Sequence, residues 1–313
     1  LIPAPYVVAH LQLGLHLQGL GAPLGESERA SVYLTNALTG WEPPKGPKQT
    51  LTFPEMQEER EAAAEVKQHK PILVILGNPP YNGYAGMAIG EERELSDAYR
   101  TTERAPAPQG QGLNDLFVRF FRMAERRIVE KSGRGIVCLI SNYSWLDGLS
   151  YTGMRERYLD VFHEIRIDSL NGDKYKTGKT TPEGEPDPSV FSTEFNREGI
   201  QVGTAVATLV RRKESTGPDD PAEVIYRDFW GKTKRADLLR DAREGEGPDY
   251  EQVPPHVEIG YPFRPTEVAT DYLSWPKLPE IMAHSFPGVK TSRDAALVDI
   301  DRDRLVARMK RYL

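Results

Sequence analysis

Residues 72–81 read Ile-Leu-Val-Ile-Leu-Gly-Asn-Pro-Pro-Tyr, and this stretch decides the fold. Ile72 to Leu76 is an unbroken apolar run rich in branched side chains. A run that does not alternate with polar residues fits a parallel strand covered on both faces. It ends at Gly77-Asn78-Pro79-Pro80-Tyr81. Two consecutive prolines fix φ and remove backbone donors, so the chain must leave the sheet there. A strand therefore delivers Asn78, Pro79, Pro80 and Tyr81 to its carboxyl end, where open α/β sheets bind ligands.

Outward from this point the chain alternates helix and strand. Upstream, residues 3–20 read as a helix with Val7, Val8, Leu11 and Leu15 on one stripe. A short strand is expected at Ala30–Asn36, a proline-rich loop at 40–50, and a polar helix at Glu55–Lys70. Downstream, residues 83–112 read as a mobile loop or lid. Asn114 is expected to cap an amphipathic helix reaching about Lys131, with Leu116, Phe117, Phe120, Ala124 and Ile128 inward and Arg119, Arg122, Arg126 and Arg127 on a solvated face. A second apolar strand follows at Ile136–Ile140, with Cys138 in its core. Then come a helix at Thr152–Phe162, a strand at Glu164–Leu170, a glycine- and proline-rich loop at 171–188, and strands at Gly203–Arg212 and Val224–Phe229. Trp145 fits a pocket rim or the core. The expected architecture is α/β: a mostly parallel twisted sheet, helices on both faces and an antiparallel pair at one edge. The last hundred residues are richer in proline and charge, which sets a boundary near 213: residues 1–213 as a catalytic domain and 214–313 as an extension.

The chain has 313 residues, of which 39% are hydrophobic and 27% charged, the profile of a folded globular protein. Five residues is too short an apolar run to cross a bilayer. One cysteine excludes an internal disulfide framework, and no basic-then-apolar leader is present, so a reducing cytoplasm is the expected location. The six histidines show no metal-ligand spacing, and no metal site is expected. A net charge of −6 argues against a wholly basic nucleic-acid coat but allows a local basic face. The chain opens at Leu1, directly on a helical pattern, and reads as a segment of a longer polypeptide.

Asn-Pro-Pro-Tyr has a chemical meaning in this context. The lone pair of an exocyclic base amine is delocalised into the ring. An asparagine side-chain oxygen and a neighbouring backbone carbonyl can each accept one of its N–H groups, which draws the nitrogen toward tetrahedral geometry. The prolines fix that carbonyl and add no competing donor. A tyrosine can stack on a base that has left the duplex. Attack on a methyl sulfonium then needs positioning and electrostatics, not a protein nucleophile.

On these residues the chain resembles the gamma-type adenine-specific amino DNA methyltransferases, most closely the methyltransferase region of type ISP restriction–modification enzymes. Besides VILGNPPYNG, the resemblance covers PAPYVVAHLQLGL, LNDLFVRFFRMAERRI, GRGIVCLISNYSWLDG, MRERYLDVFHEIRIDSLNG, DPSVF, GTAVATLVRRK, and GVKTSRD followed by LVDIDRDRLVARM. It implies that Asn78 and Pro79 hold the target amine and that Tyr81 stacks on the flipped base, with Phe191 on the base's other face. It places Asn36 near the adenine of S-adenosylmethionine, with apolar contact from Leu116 and Phe117. It implies double-stranded DNA as substrate, nuclease and translocation domains upstream, and a sequence-reading domain downstream. Arg211, Arg212, Lys213, Lys232, Lys234 and Arg235 are the candidates for DNA phosphates.

The sequence departs from the family in one respect. No glycine-rich loop follows a first strand, so the chain is expected to begin after the cofactor loop. Two alternatives stand beside methylation of adenine. One is methylation of another exocyclic amine such as cytosine, although Asn78 favours adenine because the cytosine relatives more often carry serine there. The other is a non-catalytic DNA-binding or assembly module that keeps the fold.

Overall fold

The computed structural model describes residues 3–26, 28–42, 53–81, 91–214, 216–245, 247–269, 271–282, 284 and 297–312. Two compact units divide the chain, Leu1–Thr266 and Glu267–Leu313.

The first unit is built on a six-stranded sheet of order β1-β2-β4-β3-β5-β6. Its strands are β1 (Val74–Gly77), β2 (Gly135–Asn142), β3 (Glu164–Asn171), β4 (Thr204–Arg211), β5 (Glu223–Asp228) and β6 (Glu251–Gln252). β1 runs parallel to β2, and β3 parallel to β5. β4 lies between β2 and β3 and is antiparallel to both, and β6 is antiparallel to β5 at the edge. The expected antiparallel edge pair is present as β5–β6, but a second antiparallel element sits in the middle of the sheet. The apolar pattern of residues 204–211 sets which face each side chain takes, not the direction of the strand. The expected boundary at 213 falls within this unit, because β5 and β6 extend the same sheet.

One face of the sheet carries the core. Val137 and Leu139 of β2, Ala205, Ala207 and Leu209 of β4, Ile165 and Ile167 of β3, and Val224 and Tyr226 of β5 are buried. Against them pack α4 (Leu116–Glu125), its continuation as a π-helical turn (Arg126–Ser132), and α5 (Thr152–Val161). Phe121, Tyr158, Phe263 and Trp145 meet there in edge-on or tilted ring pairs, so Trp145 is a core residue. The other face is covered differently. Arg227 of β5 pairs with Asp168 of β3 and with Asp241 of α6 (Lys234–Glu244). Over β1, β2 and β4 that face is half-exposed, and Cys138 lies there, half-buried rather than in the core. β1 is an edge strand, with Val74 53% and Leu76 72% exposed. The expectation of a strand covered on both faces is corrected to that extent.

Upstream, α1 (Pro3–Gly19) forms as the period requires, yet none of its residues is buried. α2 is Pro54–His69. Residues 30–36 do not form the expected strand, having no ladder partner among the described residues. Lys67 of α2 instead organises this stretch, donating to Thr35 Oγ1 at 2.8 Å, Asn36 O at 2.6 Å and Thr39 O at 2.8 Å. Burial pushes the Lys67 ammonium down to about 8, against the opposing charge of Glu91. The unfolded chain therefore holds more protons than the folded one between that value and the ordinary lysine range. Folding stability should rise with pH across this window. Urea denaturation should show the rise in the native sequence and a flatter profile in Lys67→Met.

The expected mobile segment 83–112 is corrected where it is described; residues 82–90 and the loop residues 43–50 lie outside the described set. α3 (Glu91–Leu95) and a 3-10 turn at Asp97–Tyr99 pack inward. Tyr99 is fully buried and donates its hydroxyl to Glu125 at 2.6 Å. The buried Glu156 carboxylate accepts from Glu103 N at 2.6 Å, Arg104 N at 3.0 Å and Ala105 N at 2.7 Å. Two internal carboxylates thus satisfy what composition alone reads as a loose loop. The cap of α4 is Asp115 rather than Asn114. Its arginines are not a solvated face: Arg119 is buried against Glu92, and Arg122 against Glu125 and Glu130, while Arg127 bonds to Lys70 O.

The second unit contains α7 (Leu278–Ile281) and α8 (Arg302–Tyr312). Asp301 caps α8, accepting from Asp303 N at 2.9 Å. Of the sequence stretches read above, GVKTSRD lies outside the described residues. No helix among the described residues is long and apolar enough to cross a membrane, and no group of three or more acidic, histidine or cysteine side chains among them could hold a metal ion.

Candidate functional site

β1, β2, β3 and β5 share a direction, so the segments that follow them all emerge at one end of the sheet. Asn78–Tyr81 leaves β1 there. Gly77 precedes it, and a Cβ at that position would stand 3.0 Å from Leu139 Cδ2, so a larger residue there would crowd the Leu139 side chain. Pro79 is buried, which anchors the turn, while Asn78 is exposed. The Tyr81 hydroxyl lies 3.1 Å from Asn78 Oδ1 and 3.3 Å from Ile140 O, donating to these acceptors. Burial pushes the Tyr81 hydroxyl above the ordinary tyrosine value, so it stays protonated and remains a donor at neutral pH. An amide oxygen has two acceptor positions, and Asn78 Oδ1 retains one for a further donor.

The loop 172–203 brings Phe191 to this turn. The ring centroids of Tyr81 and Phe191 are 6.5 Å apart at an interplanar angle of 66°. The structure thus joins two residues separated by more than a hundred positions in sequence.

This loop is held by two carboxylates that sequence reading missed. Asp187 is 0% and Lys234 2% exposed, and they form an ion pair at 2.5 Å. Asp187 also accepts from Gly172 N at 2.7 Å and Gly231 N at 2.8 Å, and Lys234 donates to Leu170 O at 2.7 Å. Gly172 is required here: its φ is +76°, and a Cβ would meet Ser189 Cα at 2.9 Å. Asp173 accepts from Tyr175 N and Lys176 N at 2.7 Å and from Gly203 N at 2.9 Å. Burial raises the Asp173 carboxyl, but these backbone donors and the Tyr143 hydroxyl outweigh it and hold it below the usual range. The visible signal was the DPSVF stretch itself: an aspartate before proline in an otherwise glycine-rich loop.

The phosphate candidates separate into two groups. Because β4 is antiparallel, Arg211 lies opposite Gly135 at the amino end of β2, about 24 Å along the strand from Thr204. Arg211, Arg212 and Lys213 are therefore at the far end of the sheet from Tyr81. Arg211 donates to Val161 O at 2.8 Å, and Arg212 pairs with Glu164 at 3.1 Å. Lys234 is the buried partner of Asp187 and is not available to DNA. Lys232 and Arg235 are exposed and follow β5 at the pocket end.

Of the residues assigned to S-adenosylmethionine, Asn36 and Leu116 both lie against one small cluster around Leu38, and Phe117 does not join them. Asn36 Nδ2 donates to Glu92 at 3.0 Å, and its Oδ1 accepts from Leu38 N at 2.9 Å. Leu116 packs near it, in a small cluster with Leu38, Leu95 and Met123. Phe117 is fully buried in the main core against Phe121 and Tyr151, so it is a packing residue. Beside the small cluster is a cavity of about 20 Å³ lined by Trp41, Glu42, Leu95, Met123, Arg126, Arg127 and Lys131. That volume holds about one water molecule, not a nucleoside. This small cavity is therefore not a nucleoside site.

No protein-family model matches the chain, and no curated protein does. Solved structures do. The ATP-dependent type ISP restriction–modification enzyme LlaBIII bound to DNA matches with a TM-score of 0.60 at 22% identity, over 82% of this chain and 16% of that one. A nuclease-deletion mutant of the type ISP enzyme LlaGI, in complex with a DNA substrate mimic, matches with 0.68 at 20% identity, over 99% and 24%. A DrdV–DNA complex matches with 0.64 at 21% identity, over 100% and 30%. The likeness is one of fold, and the chain spans less than a third of each of these proteins.

Proposed function

We propose that the chain carries the target-base half of a DNA methyltransferase that modifies the exocyclic amine of adenine, within the modification part of a restriction–modification polypeptide. The observation that carries this reading is the apposition of the Tyr81 and Phe191 rings beside Asn78 at the carboxyl end of the sheet. A base stacked on both faces needs roughly 7 Å between ring planes, twice the ~3.4 Å stacking spacing. The rings now meet edge-on at a centroid separation of 6.5 Å, so admitting a base between them requires at least one ring to turn. Asn78 Oδ1 and the carbonyl of Pro79 then accept the two N–H groups of the amine.

Tyr81 has two separable parts in this scheme: its ring stacks, and its hydroxyl orients Asn78. Tyr81→Phe keeps the ring and loses one hydrogen bond, worth about 0.5–1.5 kcal/mol. The turnover rate should fall about 3–10-fold with little change in DNA affinity, read by single-turnover methylation beside a binding titration.

S-adenosylmethionine, the donor that the resemblance implies, supplies an electrophilic methyl group when bound. In this reading the chain carries only part of its seat, at Asn36 and Leu116, and further chain supplies the rest. The open edge of β1, the exposed Val74 and Leu76 and the half-exposed face over β2 and β4 support a donor half packed against that edge. The DNA in the three related complexes supports DNA as the substrate, and the small share of each that this chain spans supports further domains. The test is transfer of label from S-adenosylmethionine to unmethylated DNA by the polypeptide carrying these 313 residues, followed by digestion to nucleosides. Label in N6-methyladenine supports the reading. Label in cytosine moves it to the other amine, and no label with intact DNA binding leaves the non-catalytic module.

A further inference from the structure

We propose that Phe195 is a wedge that enters the DNA stack at the position vacated by the target base. The inference rests on the reading of the chain as a base-extruding DNA enzyme. Phe195 is 101% exposed, and no large apolar side chain described in the first compact unit is more so. Its exposure is not that of a frayed segment. Thr193 N donates to Asn196 O at 2.9 Å, Asn196 N to Thr193 Oγ1 at 3.0 Å, and Gly199 N to Asn196 Oδ1 at 3.0 Å. These three bonds close a turn around Phe195. The loop that bears the turn is clamped on one side by Asp173, through Gly203, and on the other by the buried Asp187–Lys234 pair. A braced turn thus holds an aromatic ring out in water.

The same loop carries Phe191, which meets Tyr81 at the pocket. Four residues span at most ~14 Å. The groove through which a base leaves the duplex is roughly 8 Å deep. With Phe191 on the extruded base, Phe195 is within reach of the gap that base leaves behind. Apolar side chains inserted between base steps stabilise such unstacked arrangements. Tyr175, the other exposed ring of this loop, is tethered through its hydroxyl to Gln201 at 2.7 Å, whereas Phe195 has no polar group to hold it back.

The test is the affinity of the polypeptide for short duplexes of mixed sequence, intact or carrying one central abasic site, by fluorescence anisotropy. The native sequence should bind the abasic duplex about tenfold more tightly, because the gap accepts a wedge without unstacking. Phe195→Ala should bring the ratio close to one, and Phe195→Leu should keep most of it. Equal affinities in the native sequence, or a preference that survives Phe195→Ala, would overturn the wedge and leave the methyltransferase reading standing. No binding to either duplex by the native sequence would remove that reading, and the wedge with it.

Discussion

Asn78→Ala should lower methyl transfer to adenine by roughly 10²–10³-fold, the usual loss when one polar group aligned with developing charge is removed. The expected loss is in turnover, not in DNA affinity. Asn78 is exposed, and the hydrogen bond recorded for its side chain comes from Tyr81. Losing that bond costs about 1 kcal/mol, too little to unfold the unit. The edge-on pair of Tyr81 and Phe191 would persist, so extrusion of the base should continue. The measurement is single-turnover methylation together with the fluorescence of 2-aminopurine placed at the target position. Unchanged label incorporation would remove Asn78 from the chemistry. A collapse of both signals would place it in base binding instead.

Asp187→Ala should be the most destabilising single change in the loop. It strands a buried ammonium, and it leaves Gly172 N and Gly231 N without their acceptor. Breaking one side of a buried pair typically costs about 3–5 kcal/mol. For a unit of this size that lowers the melting temperature by roughly 10 °C. Lys234→Met should cost less, because Asp187 keeps its two backbone donors. The double variant Asp187→Ala with Lys234→Met should recover part of the loss, with a coupling of about 1–3 kcal/mol in a thermodynamic cycle. Additive, small effects would show that the pair does not hold the loop. If the loop positions Phe191, Lys234→Met should also weaken the 2-aminopurine signal while the protein remains folded.

The elements around Asn78 were readable because they depend on neighbours in sequence. A branched apolar run makes a strand, two prolines stop it, and a 3.6-residue apolar period makes helices such as α4 and α5. Even the order of strand and helix followed from that pattern. Which residues of the non-alternating run Ile136–Ile140 face the core was not readable, and Cys138 fell on the half-exposed face. Local preference failed where a partner was missing, as at residues 30–36, and where a distant partner supplied one, as Glu156 did for residues 103–105.

The sequence by itself determined that Asn-Pro-Pro-Tyr stands at a strand's carboxyl end, since proline geometry and β-propensity act within a few residues. Only the tertiary structure decided what surrounds it. It reversed β4 between two strands of the opposite direction, which carried Arg211, Arg212 and Lys213 to the far end of the sheet. It turned Lys234 from a surface cation into the buried partner of Asp187, 47 positions away. It also brought Phe191 to Tyr81. Strand direction, charge burial and ring contact are all set by groups far apart in the chain. A backbone ladder or an ion pair is defined by its partner, and no residue states its partner in its own local sequence.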